Sequence, residues 1–283
     1  MILLDYSSVT MSSLMTRIDD YDKDTDLLRH QIFNIIRLYN VQFRSEFGEM
    51  IICMDAANNW RRDYYSFYKA NRRKSRSNSV YDWDKIYSVL NSVRDEITTM
   101  SPFRCVRNDR CEADDVIATI VERKKSEEPI LIISPDRDFV QLQKFPNVKQ
   151  YSNIQKKWIE PKVSPEYDLK EKVLKGDTGD GVPNVMSDDC SLIEENMRQT
   201  PLRKNKFESL LNDPESLGTT IARRVIRNRD LIDLSRTPDD LKNQIYTQFE
   251  KKSIGSINTL INLFSKYKMK MLLEALPDFE TNK

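Results

Sequence analysis

Short apolar runs alternate with longer amphipathic stretches over the first 160 residues, a pattern that predicts strands alternating with helices. The four strands that it predicts are ILLD (2–5), MIICMD (50–55), FRCV (103–106) and ILIIS (130–134). Amphipathic helices are predicted between and after these strands, at about 26–44, 60–70, 82–100 and 112–125. Uninterrupted apolar strands are typical of parallel strands that are covered on both faces. The pattern therefore predicts an α/β fold with a central, mostly parallel sheet flanked by helices.

The strand pattern fades after about residue 160, and the rest of the chain is polar with helical periodicity. Ser164 and Pro165 stand at the N-cap and the first position of a predicted helix. Further helical segments lie between residues 188 and 283, and they are SLIEEN, FESLLN, TTIARRVIRN, DDLKNQIYTQF and INTLINLF. We therefore predict a smaller helical region at the carboxyl-terminal end.

Carboxylates follow three of the predicted strands at the point where each strand ends. Asp5 follows ILL, Asp55 follows IICM, and Asp136 and Asp138 come just after ILIISP. Each Asp alone is explained equally well as a helix cap or a turn former. Because the carboxyl ends of neighbouring parallel strands meet at one edge of a sheet, the set favours a shared site at that edge.

Further acids lie at the start of a predicted helix and in a glycine-rich loop. Asp109 and Glu112 have the spacing of a capping box, and Glu112 and Asp114 lie in the first turn, where the helix dipole alone would favour acids. The loop GDTGDGVPNV (176–185) holds three of the six glycines together with two more aspartates. A tight turn explains this usage, and so does close approach of the backbone to another group.

The composition narrows the chemistry that these acids can support. The chain has one histidine and four cysteines without a CxxC pair, which leaves little for a zinc site or for histidine acid–base catalysis. Carboxylate oxygens alone select hard cations, and so many acids in one pocket would repel each other without cations. We therefore predict two Mg²⁺ ions, for which Mn²⁺ would substitute, at a site suited to phosphodiester hydrolysis. The predicted metal ligands are Asp5, Asp55, Glu112, Asp114, Asp136, Asp138, Asp177 and Asp180.

A basic and aromatic stretch begins shortly after Asp55. Residues 60–76 contain seven basic residues against one acid, although the net charge of the whole chain is only +1. Basic residues pair with phosphates and aromatic rings stack on bases, whereas a solvated surface and core packing are the plain alternatives. We predict that nucleic acid is bound by Arg61, Arg62, Lys69, Arg72, Arg73, Lys74 and Arg76.

The apolar runs are much shorter than the roughly 20 residues that span a bilayer, and the chain starts MILLD without a basic leader. The scattered cysteines are typical of a reducing compartment. We expect a soluble, cytoplasmic protein that does not bind a membrane.

Five motifs in order resemble those of the 5′-nuclease superfamily, which contains the flap endonucleases and the 5′–3′ exonuclease domains of bacterial DNA polymerases. They are ILLDYSS, MDAANNWRRDYYSFYKANRRK, EADD, SPDRDF and GDTGDGVPNV. Within the superfamily, the chain is most similar to the ribonucleases H of T-even bacteriophages, over nearly its whole length. The order and spacing of all five motifs make the resemblance specific.

The resemblance implies a PIN-like, 5′-nuclease-like fold with a catalytic domain over 1–185, a helical arch at about 60–82, and a duplex-binding domain over 186–283 that contains a helix–three-turn–helix element. It implies one metal ion near Asp55, Glu112, Asp114 and Asp136, with Asp5 reached through water. It implies a second ion near Asp136, Asp138, Asp177 and Asp180. Lys69 and Arg61 match the basic residues of the family that contact the scissile phosphate and assist catalysis, whereas Asp115 ranks below Asp114 as a ligand.

The resemblance thus leads us to expect a Mg²⁺-dependent 5′–3′ exonuclease and flap endonuclease with ribonuclease H activity, which removes RNA primers and 5′ flaps from lagging-strand fragments during replication. The implied partners are branched or nicked DNA and RNA–DNA duplexes with a 5′ end, together with a sliding clamp and a single-strand DNA-binding protein. We expect a monomer that acts in the host cytoplasm if the gene is that of a phage. The alternatives are a branched-DNA binding protein without catalysis and another Asp-rich phosphoryl hydrolase of the toprim or phosphatase type.

Overall fold

A six-stranded sheet forms the centre of the computed structural model, which describes residues 1–15, 25–71, 81–194, 196–212 and 218–281. The strands are β1 (Ile2–Asp5), β2 (Met50–Met54), β3 (Arg104–Arg107), β4 (Ile130–Ile133), β5 (Val148–Ser152) and β6 (Lys157–Ile159). Their order across the sheet is β3-β2-β1-β4-β5-β6. All neighbouring pairs are parallel except β5 and β6, which are antiparallel. The predicted α/β class with a mostly parallel sheet is confirmed.

Helices cover both faces of the sheet and make up most of the carboxyl-terminal region. The α-helices of the described residues are α1 (Tyr6–Leu14), α2 (Thr25–Phe47), α3 (Trp60–Tyr64), α4 (Trp83–Met100), α5 (Ala113–Lys124), α6 (Pro165–Lys175), α7 (Lys204–Asn212), α8 (Thr219–Ile232), α9 (Asp239–Phe249), α10 (Ile257–Lys266) and α11 (Lys270–Glu274). Short 3₁₀ helices span Arg137–Lys144, Leu234–Arg236 and Leu276–Phe279. Within the described ranges, none of the helices combines the length and the apolar character needed to cross a membrane.

Two predicted helices are wrong. The helix predicted over 60–70 ends at Tyr64, and turns follow, because the chain must bend back towards the glycine-rich loop. The segment 191–194, within SLIEEN, forms turns instead of a helix. The strands β5 and β6 were not predicted, since their polar residues lack a clear alternation. Much of the predicted arch, residues 72–80, lies outside the described residues.

Alternate residues of each central strand face opposite cores. Leu4 and Ile52 lie in a core that α2, α4 and α10 complete, whereas Leu3 and Ile51 lie in a core on the other face, with α5 and α9. The buried Phe264 of α10 is part of the first core. Helices of the predicted carboxyl-terminal domain therefore complete both cores of the sheet. The boundary at residues 185 and 186 stays a prediction.

The order of the strands fixes where a ligand site can form. From β1 the chain moves outward through β2 to β3, and from β4 it moves in the opposite direction to β5. The crevice between the carboxyl ends of β1 and β4 is therefore the switch point at which open α/β sheets bind ligands. Asp5 ends β1, and Asp136 follows β4 by three residues, so that both acids lie at this crevice.

Candidate active site

Asp5 and Asp55 lie at the ends of the adjacent strands β1 and β2. The Asp5 carboxylate accepts hydrogen bonds from the Ser8 amide (3.1 Å) and from the Ser134 hydroxyl (2.8 Å). Asp55 accepts a 2.8 Å hydrogen bond from the amide of Ala113, the first residue of α5. Asp5 thus caps α1, as the plain alternative held, whereas Asp55 is not a cap and bonds to the start of α5 from a distant part of the chain. Both acids also line the crevice. Burial, and then the nearby Asp55, raise the pKa of Asp5 to about 7.

Three aspartates converge beyond β4. Asp114, Asp136 and Asp138 each present a carboxylate oxygen within 4.8 Å of the others. Asp136 caps the 3₁₀ helix that follows β4 by accepting a 2.9 Å hydrogen bond from the amide of Asp138. This local turn brings two carboxylates that are two residues apart to the same side of the chain. Such a triad of oxygen donors fits a hard divalent cation.

The start of α5 contributes acids with different roles. Glu112 is the N-cap, and its backbone amide donates a 2.9 Å hydrogen bond to Asp115, so that the capping box joins Glu112 to Asp115 and not, as predicted, to Asp109. Asp115 is fully buried, and its carboxylate accepts hydrogen bonds from Arg61, Trp60 and Thr237. Asp114 instead belongs to the triad, where burial and then Asp136 raise its pKa well above the usual value. The higher rank given to Asp114 over Asp115 as a metal ligand stays a prediction.

Arg61 has a different place from the one predicted. The residue is 1% exposed, and its guanidinium donates two hydrogen bonds of 2.9 Å to Asp115. A third bond of 2.9 Å goes to the carbonyl oxygen of Leu231 in α8. The predicted contact of Arg61 with the scissile phosphate does not fit this burial, and three of the five N–H donors of Arg61 are already bonded inside the protein. Arg61 instead joins α3, α5 and α8, and its guanidinium lies 3.7 Å from a Glu112 carboxylate oxygen.

Lys69 lies within the acid cluster, while its predicted contact with the scissile phosphate stays a prediction. Its ammonium is bonded to Glu112 and lies 3.6 Å from the Asp180 carboxylate. Its backbone has a positive φ of 56°, and its amide donates a 2.8 Å hydrogen bond to the Asp180 carbonyl. Although burial opposes ionisation, Lys69 and Arg61 lower the pKa of Glu112 to about 2.

Tyr68 and Gly181 hold the basic segment against the glycine-rich loop. The Tyr68 hydroxyl lies 2.8 Å from Glu112 and 3.0 Å from Asp180, so it bridges the two acids. Gly181 has a φ of 71°, and a Cβ atom there would lie 2.7 Å from the carbonyl oxygen of Phe67. The glycine is therefore required by a close approach of backbone to backbone.

Lys172, in the last turn of α6, was not predicted. Its ammonium is bonded to Asp138 and lies 2.7 Å from a carboxylate oxygen of Asp177. Burial raises the pKa of Asp138 to about 7 even though Lys172 opposes this rise, whereas the pKa of the less buried Asp177 is lowered by Lys172 against the effect of its burial. The sequence offered no signal for Lys172 beyond its position five residues before Asp177.

Asp177 and Asp180 of the glycine-rich loop lie next to the triad. A cavity of about 10 Å³ is lined by these two acids and by Asp114 and Asp138 of the triad, together with Arg61 and Tyr68. Electrostatic contacts link Asp5 to Asp55 and Asp136, and Asp114 to Glu112 and Asp5. All eight predicted ligands thus lie in one cluster. Among the described residues, three cations, Arg61, Lys69 and Lys172, contact this cluster of eight carboxylates. Such an excess of negative charge at a partly buried site fits divalent metal ions, which would neutralise it.

The structure describes only one of the remaining basic residues that were predicted to bind nucleic acid. Arg62 is exposed next to the buried Arg61, so that it is available to a polyanion. Of the aromatic residues in this stretch, Trp60, Tyr65 and Tyr68 are buried, which confirms core packing for at least half of them. The predicted contacts of Arg72, Arg73, Lys74 and Arg76 lie outside the described residues.

Family models match the chain in two consecutive parts. The model of the 5′–3′ exonuclease N-terminal resolvase-like domain matches residues 3–173, and the model of the T4 RNase H C-terminal region matches residues 163–279. Ribonuclease H of Enterobacteria phage T4 is 33% identical over 98% of this chain and 95% of its own length. Flap endonuclease Xni of a Shewanella strain is 25% identical over 62% of this chain and 65% of its own length.

Solved structures share the fold. The T5 D15 protein co-crystallised with metal ions superposes with a TM-score of 0.60 and 17% identity, over 88% of this chain and 98% of that one. A D15 flap endonuclease of bacteriophage T5 in complex with DNA and metal ions superposes with a TM-score of 0.59 and 15% identity, over 98% of each chain. At these low sequence identities, the superpositions show a shared fold and nothing about function.

Proposed function

The chain belongs to the 5′–3′ exonuclease family and is a metal-dependent nuclease, and from this premise we propose that it removes RNA primers and short 5′ flaps with Mg²⁺ by a two-metal mechanism. The reaction is hydrolysis of a phosphodiester, as expected of a 5′–3′ exonuclease or flap endonuclease. The products would carry a 5′-phosphate. The single observation that carries the proposal is the cluster of eight carboxylates at the switch point of the sheet, with Asp114, Asp136 and Asp138 close enough to share an ion.

The donor set decides which ions the cluster would hold. Asp114, Asp136 and Asp138 would hold one ion, and Asp138, Asp177 and Asp180 lie where a second would bind. All donors are carboxylate oxygens, which suits Mg²⁺, with Mn²⁺ as a substitute. When bound, two such ions activate a water and stabilise the leaving oxygen of a phosphodiester.

The protein's own residues would orient this chemistry. Tyr68 and Lys69 hold Glu112 and Asp180 at fixed positions by hydrogen bonds. We propose that Lys69 also offsets charge that develops on the phosphate, since its ammonium already lies among the acids. Arg61 takes no part in substrate contact in this proposal, and it supports α5 from below.

The proposed substrates are nicked or branched DNA and RNA–DNA duplexes with a 5′ end. The support is the family relationship together with the exposed Arg62 beside the site. A sliding clamp and a single-strand DNA-binding protein remain proposed partners by resemblance. The proposal also includes a monomer that acts in the cytoplasm of the host.

Cleavage of a labelled junction tests the function. We expect a nicked duplex with a 5′-labelled RNA–DNA strand, and a flapped version of it, to give short labelled products in Mg²⁺ and none in EDTA. A matched duplex whose 5′ end is closed in a hairpin is the control, and it should stay intact because a 5′-nuclease needs a free end. Binding of both open substrates without any product would contradict catalysis and would support a branched-DNA binding protein.

Metal binding should depend on pH around neutrality. Asp5 and Asp138 have pKa values of about 7, and that of Asp114 is raised as well, so the metal-free site carries protons that an ion must displace. Asp5 and Asp138, with pKa values of about 7, are mostly protonated below pH 7 and mostly ionised above it, so the affinity for the metal ion should rise as the pH increases from 6 to 8. We expect release of about one to two protons per site filled. Calorimetric titration of Mn²⁺ in buffers of different ionisation enthalpy measures this release, and an affinity that is constant over this range would contradict the raised pKa values.

A further inference from the structure

Lys172 links the two halves of the acid cluster. It belongs to the last turn of α6, and its ammonium bridges Asp138, which follows β4, and Asp177, which begins the glycine-rich loop. The side chain is 28% exposed, so the ammonium lies at the edge of the cluster with a path to solvent. Asp138 therefore contributes to two groups, the triad with Asp114 and Asp136 and the bridge with Lys172.

The two halves of the cluster consequently differ in charge. No lysine or arginine among the described residues forms an ion pair with Asp114 or Asp136 within 4 Å, whereas the Asp138–Asp177 pair already has a cation between its carboxylates. A divalent ion that binds directly between Asp138 and Asp177 must displace the ammonium or bind beside it. Opposite charges at this distance attract strongly, and like charges repel equally strongly, so one internal cation weakens the site for a second.

We propose that Lys172 is a positioning residue that serves as an internal cation of the active site. It joins Asp138 to Asp177 in the absence of metal and keeps the space between these two carboxylates a weak, exchangeable site for a divalent ion, while Asp114 and Asp136, which lack such an ion pair among the described residues, anchor the tight site. The inference rests on the proposed metal chemistry, since it assigns different affinities to the two proposed ions.

Binding of Mn²⁺ to the full chain without nucleic acid tests the inference. Free Mn²⁺ measured by electron paramagnetic resonance, together with calorimetry, gives the number of ions and their affinities. We expect the Lys172→Met protein to bind the weaker ion at least about tenfold more tightly than the wild type, because one repelling charge is removed. The melting temperature of the metal-free variant should be lower than that of the wild type, since Asp138 and Asp177 then face each other without a cation. For the same reason, added Mn²⁺ should raise the melting temperature of the variant by more than it raises that of the wild type.

Two variants serve as controls. Lys172→Arg keeps the charge and should bind Mn²⁺ as the wild type does. Lys175→Met removes a charge from the same turn of α6, where Lys175 pairs with Glu171 at 2.6 Å outside the cluster, and should change neither affinity. If Lys172→Met does not fold without metal, Lys172→Gln provides the same loss of charge with a polar side chain.

The outcomes separate the inference from the function on which it rests. Wild-type protein that binds Mn²⁺, with a weaker ion whose affinity is unchanged or reduced in Lys172→Met, overturns the inference alone and leaves the nuclease proposal standing. Wild-type protein that binds no Mn²⁺ at millimolar concentration overturns both. If Lys175→Met binds the weaker ion more tightly by the same factor as Lys172→Met, the effect depends only on the net charge of the protein, and the role of Lys172 is also overturned.

Discussion

Replacing Asp136 with Asn is expected to slow phosphodiester cleavage by about 10³-fold, since bound metal ions contribute several kcal/mol of transition-state stabilisation and each 1.4 kcal/mol is tenfold in rate. Asp136 is central to this effect because it belongs to the triad with Asp114 and Asp138 and also lies near Asp5. The fold should survive, because the Asn side-chain oxygen can still accept the hydrogen bond from the Asp138 amide that caps the 3₁₀ helix. Single-turnover cleavage of a labelled flap in saturating Mg²⁺ measures the rate.

Asp233→Asn is the matched control for this substitution. Asp233 also caps a 3₁₀ helix, and it accepts a 3.0 Å hydrogen bond from the amide two residues later, but it lies outside the acid cluster. Its variant should cleave like the wild type, and both variants should melt within a few degrees of the wild type. A rate for Asp136→Asn within about threefold of the wild type would remove Asp136 from the metal site.

Much of this site was predictable from short patterns. Asp5 ends β1, Asp55 follows β2 directly and Asp136 follows β4 by three residues, and parallel strands place their carboxyl ends at one edge, so the strand pattern predicts that these acids share that edge. The glycines of the loop likewise indicated a close approach, which Gly181 makes against Phe67. These features depend on local sequence, where a residue's neighbours along the chain determine its conformation.

The parts that were not predicted depend on contacts between distant residues. Lys172 meets Asp138 across 34 positions, and Arg61 meets Leu231 across 170. A basic residue among other basic residues gives no sign of whether it faces solvent or a buried acid 54 positions away, as Arg61 does with Asp115. Charge patterns in a sequence therefore predicted that the segment is basic, but they did not separate its structural arginine from the exposed one beside it.

Replacing Arg61 is expected to have a large effect on the stability of the fold. We expect Arg61→Met to lower the free energy of unfolding by about 3–5 kcal/mol, because the substitution leaves the fully buried Asp115 carboxylate without its partner. Asp115 keeps hydrogen bonds from the Thr237 hydroxyl (2.7 Å) and from Trp60 Nε1 (3.2 Å), but these are neutral donors and do not balance its charge. Urea denaturation of the metal-free protein measures the loss.

The neighbouring Arg62 distinguishes stability from substrate contact. Arg62→Met should change the free energy of unfolding by no more than about 0.5 kcal/mol, since Arg62 is exposed, while weakening nucleic-acid binding most strongly at low salt. The double variant Arg61→Met with Asp115→Asn should recover at least about 1 kcal/mol relative to the sum of the single changes, because the unpaired charge is then gone. If Arg61→Met instead unfolds at the same urea concentration as the wild type but cleaves at least about 100-fold more slowly, Arg61 reaches the phosphate after all, and the ion pair with Asp115 must open during catalysis.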